Sequence, residues 1–211
     1  MAVITISRQF GAGGRTLGKM IAEKMGYRFL DELIIKEIAK MARVSKDTVI
    51  SLERSAGGPI SRMISSLLSR DYMERLTGDD RGYLDEQGYV DILQDVMTKL
   101  ASENNVVLMG RGGQYILQKD PNAFHILLVA DMPDRIAFMR RFYRLSDRQA
   151  IDAVNNGDKR RLNLYRRMGK QDYDHPELYH LVINHSKVSL EKARDLVCDL
   201  TTQEKSEQYD Q

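Results

Sequence analysis

Val3-Ile4-Thr5-Ile6-Ser7-Arg8-Gln9-Phe10-Gly11-Ala12-Gly13-Gly14-Arg15-Thr16-Leu17-Gly18 decides how the chain is read. Val3–Ile6 is a short buried strand, the glycines form a turn, and Leu17 starts a helical period behind the hydroxyl of Thr16. That order aims backbone N–H groups and a helix N-terminus at one point, which is an anion site. The spacing G-x-x-x-x-G-K-[ST] of a P-loop would place Gly where Arg8 stands and Lys where Gly14 stands. Gly13 is kept, Gly11 adds a glycine within the loop, Thr16 follows one residue late, and the lysine is lost. Gly11, Ala12, Gly13 and Gly14 are therefore expected to wrap a phosphate chain, with Thr16 holding Mg²⁺ directly or through water. Arg15 and Arg8 are the two candidates for the missing charge. A dinucleotide fingerprint G-x-G-x-x-G is not met, because Thr16 stands where its third glycine belongs.

The 211 residues suit one domain, and 42% apolar residues are enough for a sizeable core. With 32 basic and 30 acidic residues the net charge is only +2, which offers no footprint for nucleic acid or an anionic membrane. No apolar run reaches the ~20 residues of a membrane span. The first apolar run stops at Ser7, too short for a secretion signal, so a cytoplasmic location is expected. The lone Cys198 cannot form an internal disulfide and reads as a packed thiol.

Further strand-like runs fall at Tyr27–Leu30, Val106–Met109, Phe124–Val129 and Leu181–Ile183. They are unbroken and alternate with helical patterns, the mark of a parallel sheet covered on both faces. Helices are expected around Leu17–Met25 with Gly26 closing, around Leu33–Met41, from a Ser45 cap toward Glu53, through the apolar stretch 60–68, over Tyr89–Leu100, after the fourth strand at Ile136–Phe142, and from a Ser189 cap through Leu200. Residues 201–211 read as a polar, frayed tail. Residues 135–170 carry eleven Lys or Arg against three Asp, and they read as two helices joined around Asn155-Asn156-Gly157. The ligand side of such a sheet lies beyond its C-terminal strand ends, and this basic segment and the glycine-containing stretch 55–86 can both fold over that edge.

Two further features carry chemistry. Met109-Gly110-Arg111-Gly112-Gly113 leaves a buried strand through glycines, so Arg111 can reach a phosphate at the sheet edge. Arg135, Arg140, Arg141 and Arg144, followed by Asp158-Lys159-Arg160-Arg161 and Tyr165-Arg166-Arg167, can form an arginine lid that neutralises a transferring phosphoryl group and excludes water, although a solvated helical face is the better account of most of these arginines. Ile35–Val49 has the outline of a DNA-binding helix-turn-helix. Against it, residues 31–54 hold five basic and five acidic side chains, and Arg43 stands where the turn usually has glycine. His125, His175, His180 and His185 show no metal-ligand spacing, and no nucleophile motif occurs.

With strand, P-loop, Gly-Arg turn and arginine lid in this order, the chain resembles the nucleoside monophosphate kinases, and among them the cytidylate kinase-like family. The resemblance covers roughly residues 4–200. It rests on Ile4-Thr5-Ile6-Ser7-Arg8-Gln9-Phe10-Gly11-x-Gly13-Gly14-Arg15, Tyr27-x-Phe29-x-Asp31, Val107-Leu108-Met109-Gly110-Arg111 and Asp158-Lys159-Arg160-Arg161-x-Asn163-x-Tyr165. It implies an α/β, three-layer fold of about five parallel strands with flanking helices in one kinase domain over residues 1–200. A helical monophosphate-binding flap at about 31–90 and a lid at about 135–170 would complete it.

The resemblance also implies transfer of the γ-phosphoryl group of ATP, with Mg²⁺, to CMP or dCMP. Arg111 matches the residue that holds the acceptor phosphate. Arg135, Arg140, Arg160 and Arg161 match the lid arginines, with Asp158 beside them, and Asp31 falls where the second strand meets the flap. Two departures stand out. Gly13-Gly14-Arg15-Thr16 replaces Gly-Lys-Gly-Thr, and Met109 replaces the Asp before the Gly-Arg turn. A nucleotide-binding regulator, or a kinase of a non-nucleotide small molecule, is the alternative on the same fold. Leu33, Ile34 and residues 60–68 suit either the flap's own core or a homo-oligomer interface.

Overall fold

The computed structural model describes residues 2–55 and 84–207. The expected helix at 60–68 and most of the glycine-containing stretch 55–86 lie outside the described residues.

All five expected strands form: β1 (Val3–Arg8), β2 (Arg28–Leu30), β3 (Val106–Met109), β4 (Ala123–Val129) and β5 (Leu181–Asn184). They make one parallel sheet in the order β2-β3-β1-β4-β5. β1 is central because its residues are buried on both faces: Val3 belongs to one core and Ile4 and Ile6 to the other. Its register runs from Val3 beside Val106 and Ala123 to Arg8 beside Leu128. The loop after β1 therefore leaves from the middle of the sheet's C-terminal edge, where ligands of open α/β sheets bind.

On one face, α2 (Glu32–Met41), α3 (Lys46–Ser55) and α4 (Glu86–Ser102) pack Ile34, Ile38, Val49, Leu93 and Met97 onto Val3, Val106 and Leu108. On the other, α1 (Gly14–Met25) and α8 (Leu190–Glu207) pack Leu17, Ile21, Ala193, Val197 and Cys198 onto Ile4, Ile6, Val107 and Ile126. The expected caps form. Gly26 closes α1 at φ 66, and Ser45 Oγ and Ser189 Oγ accept from the N–H groups three residues on. The pair α2–α3 is thus a core-packed part of the α/β unit, turning through Arg43 at φ 54. α8 runs on to Glu207, past the expected start of the tail. Thr201 allows this because it is fully buried, and its hydroxyl donates back to the carbonyls of Val197 and Cys198. None of the described helices is long and apolar enough to cross a membrane.

The basic segment folds as α6 (Met132–Tyr143) and α7 (Asp147–Arg167), after the single-turn α5 (Gly113–Ile116). The expected joint at Asn155-Asn156-Gly157 lies inside α7. The chain turns instead at Arg144, φ 54, and α7 starts on a reciprocal capping box between Ser146 and Gln149. Tertiary packing overrides the breaker composition. A Cβ at Gly157 would lie inside the ring of Phe10, so glycine is what lets α7 press against the P-loop.

A buried polar node crosses the sheet at its centre. Thr5 Oγ1 lies 2.7 Å from His125 Nδ1, and the backbone N–H of His125 donates to His180 Nδ1 at 3.0 Å. Burial, and then the neighbouring His180, depress the His125 pKa from 6.5 to about 4. The unfolded chain takes up this proton as pH falls through 6.5 and the folded one does not, so stability present above 6.5 drains away toward pH 4, by about 3 kcal/mol at most. The melting temperature should fall more steeply across pH 6.5–4 for the wild type than for His125→Asn. A second expectation concerns Gly157. Gly→Ala inside a helix ordinarily stabilises by ~1 kcal/mol. Gly157→Ala should instead destabilise by about 1–3 kcal/mol in urea unfolding, with Phe10→Ala relieving most of the loss.

Candidate active site

The P-loop turn is clamped from outside. Asp158, on α7, accepts from the Phe10 N–H at 2.8 Å and from Arg135 Nη1 at 2.6 Å. Arg135, on α6, donates to the Phe10 carbonyl, and its backbone packs against Gly11. Gln9 ties the loop to β4 by accepting from the Ala130 N–H. Gly11 and Gly13 take φ 86 and 83, and Gly13 caps α1 without any side-chain hydrogen bond. The first-turn N–H groups of α1 are thereby left for a ligand, and Thr16 stands half-buried on that turn.

A cavity of about 600 Å³ opens beside this loop. Arg8, Phe10 and Arg15 bound it on one side, Lys36, Ile50, Glu53 and Arg54 on the side of α2 and α3, and Arg160, Arg161, Leu164 and Arg167 along α7, with Arg111 and Tyr89 between them. Arg111 is held at φ 55 between Gly110 and Gly112, which are also left-handed. Such backbone strain in a non-glycine residue persists only where the surroundings over-determine it, and here they do. Arg111 Nη1 donates to Asp31 Oδ1 at 3.0 Å and to the Asp31 and Met109 carbonyls, while Nε donates to Glu53 Oε1 at 2.9 Å. Glu53 also accepts from the Tyr89 hydroxyl at 2.7 Å. Burial is the largest influence and opposes the charge on Arg111, but Glu53, Tyr89 and Asp31 together outweigh it and raise the pKa above its ordinary value.

The other cations differ in how far they are engaged. Arg15 donates to Glu32 at 2.7 Å and pairs with Asp31 at 3.3 Å; the Glu32 bond leads in raising its pKa. Arg161 makes a two-pronged pair with Asp174, and Arg167 pairs with Glu86. Among the described residues no hydrogen bond or ion pair engages Arg8. Burial, then the nearby cations Arg111 and Arg161, pull its pKa below the ordinary value, against Tyr165 and Asp31.

Of the residues expected from the sequence, Arg8, Arg15, Arg111, Arg160 and Arg161 meet at the cavity. Three do not. Arg140 is 56% exposed and pairs with Asp147 at the α6–α7 joint. Arg135 and Asp158 face each other beneath the loop, where they hold its shape rather than line the wall. Asp31 sits behind Arg111 as its partner. Residues 160, 161, 164 and 167 follow a helical period, which was the available signal for Arg167. Glu53 and Lys36 had none, since only the packing of α2 and α3 turns them inward. Among the described residues no cluster of His, Cys, Asp or Glu could hold a metal by itself.

Comparison with known proteins agrees with this geometry. A structure of an uncharacterized protein from Eubacterium ventriosum ATCC 27560 superposes with a TM-score of 0.68 at 17% identity, covering 96% of this chain and 99% of that one. Shikimate kinase from Acinetobacter baumannii, in complex with shikimate, superposes with a TM-score of 0.51 at 15% identity, covering 97% and 95%. Shikimate kinase from Bacteroides thetaiotaomicron gives 0.50 at 14%, covering 94% and 97%. No curated protein matches the sequence significantly. These likenesses establish the P-loop kinase fold, and the model of the cytidylate kinase-like family matches residues 3–187. The chain belongs to the cytidylate kinase-like family.

Proposed function

We propose that the protein transfers the γ-phosphoryl group of ATP to a nucleoside monophosphate, with CMP and dCMP the first acceptors to test. The observation that carries this reading is the convergence of a P-loop helix start with Arg8, Arg111, Arg160, Arg161 and Arg167 on one cavity. Mg²⁺-ATP would supply the phosphoryl group, its phosphates on the Gly11–Gly14 turn and its metal on Thr16.

An acceptor phosphate oxygen attacks the γ-phosphorus as the bond to the β–γ bridging oxygen breaks, so no side-chain nucleophile is needed. The chain's own task is to position the two anions and neutralise the charge that gathers between them. Arg111 at the base holds the acceptor end, and Asp31 and Glu53 fix its guanidinium. Arg160 and Arg161 on α7 face the transferring group from above. Residues 31–90 act as the acceptor flap, and the α6–α7 pair acts as the lid.

A second reading rests on one observation. The Arg111 donors are occupied by Asp31, Glu53 and backbone carbonyls, so in this state the base of the cavity offers carboxylate oxygens rather than a free guanidinium. A hydroxyl-bearing, non-nucleotide acceptor would donate to those oxygens directly.

ADP formation with CMP, dCMP, UMP, AMP, GMP and shikimate separates the readings. The proposal expects CDP or dCDP at a rate within the ~1–100 s⁻¹ range of kinases. Product from shikimate alone would favour the second reading. ATP binding with no product from any of these would leave the nucleotide-binding regulator. Arg111→Ala should abolish turnover while ATP affinity stays within a few-fold of wild type. An equal loss of ATP affinity would remove Arg111 from the acceptor side.

A further inference from the structure

The loop lacks the P-loop lysine, yet it holds a guanidinium in the space that lysine would need. Arg8 is the last residue of β1, and its side chain runs from the loop's entrance across Gly14 toward Gly110. A Cβ at Gly14 would lie 2.8 Å from Arg8 Cγ and 3.0 Å from both Arg8 Cβ and Met109 Cε. A Cβ at Gly110 would fall on Arg8 Nη1 itself. Any side chain at position 14 therefore collides with Arg8, and any at position 110 displaces its charged end. Met109 closes the same space with an apolar thioether, so it brings no carboxylate to quench the charge.

We propose that Arg8 is the phosphate-clamping cation of this loop, delivered from the strand rather than from the helix, and that Gly14, Gly110 and Met109 are the positions that make room for it and keep it unpaired. The proposal rests on the reading of the loop as a triphosphate site. Arg15, the other candidate, also borders the cavity but is engaged by Asp31 and Glu32. Arg8 alone combines a place on the cavity wall, a path over the lysine position and no carboxylate partner among the described residues. A desolvated cation beside Arg111 and Arg161 is unfavourable until an anion joins it, so its most stable state is the ligand-bound one. The loss of lysine, the gain of Arg8 and the replacement of an acidic residue by Met109 form one exchange rather than three lesions.

Calorimetric titration of the full chain with Mg²⁺-ATP, AMP and inorganic tripolyphosphate tests this. The variants are Arg8→Gln, Arg8→Lys, Gly14→Lys and the double variant Arg8→Gly/Gly14→Lys, with melting temperatures as the folding control. Wild type should bind ATP and tripolyphosphate. Arg8→Gln should weaken both at least tenfold without altering AMP binding, and Arg8→Lys should retain part of the affinity. Gly14→Lys alone should weaken binding through the clash, and the double variant should recover to within several-fold of wild type by rebuilding the ordinary lysine. Undiminished ATP affinity in a folded Arg8→Gln overturns the assignment while leaving the nucleotide reading intact, as does a double variant no better than either single one. Arg8-dependent binding of tripolyphosphate without ATP binding retires the nucleotide reading and keeps the assignment. Failure of wild type to bind either ligand removes both.

Discussion

The carboxylate of Asp158 is the joint on which the site depends. One oxygen receives the N–H of Phe10 and the other the guanidinium of Arg135, so a single side chain on α7 fixes the P-loop and the start of α6 together. Charge-assisted bonds of this kind are shorter and stronger than neutral ones, and they act here on the outer side of the turn. The inner side, with the first-turn N–H groups of α1, stays free for a ligand. Phe10 completes the joint by packing on Gly157, which draws α7 close enough for Arg160, Arg161 and Arg167 to reach the cavity. The α6–α7 pair and the loop after β1 are one packed unit.

The cavity also shows how the chain keeps many cations together. Arg15, Arg111, Arg161 and Arg167 each lean on a carboxylate of the chain: Glu32 or Asp31, Glu53 or Asp31, Asp174, and Glu86. Removing one partner from such a pair would leave a partly buried charge uncompensated, which is strongly destabilising. The arrangement offsets like-charge repulsion in the folded state. It also means that an incoming anion competes with these carboxylates at Arg15, Arg111, Arg161 and Arg167, whereas among the described residues Arg8 and Arg160 line the cavity without a carboxylate partner. Arg111 is the extreme case: two carboxylates and a strained backbone hold it in one orientation, an arrangement suited to precise positioning rather than to non-specific attraction of anions.

The strands and the loop were legible because their signals are local. An unbroken apolar run bounded by glycines needs only burial on both faces to become a parallel strand, and each of the five runs did so within a residue or two. Misreadings occurred where tertiary contacts overruled composition. Asn155-Asn156-Gly157 reads as a break, but the chain stays helical through it, and the ring of Phe10, nearly 150 residues earlier, occupies the space a side chain at Gly157 would need. Thr201 reads as the start of a polar tail, but its hydroxyl satisfies itself on its own helix. Arg135 and Arg140 have the spacing of lid residues. The orientation of α6 turned the first under the P-loop and the second toward Asp147 and solvent.

By itself the sequence determined the α/β class, the strand order along the chain, the phosphate loop and the family, since these rest on hydrophobic period, glycine placement and short motifs that report on neighbouring residues. It also showed that the lysine was missing. Only the tertiary structure decided between Arg8 and Arg15, because the choice depends on which side chain crosses Gly14 and which is drawn away by Asp31 and Glu32. That is a matter of direction in space between residues adjacent in the loop, and no one-dimensional spacing carries it.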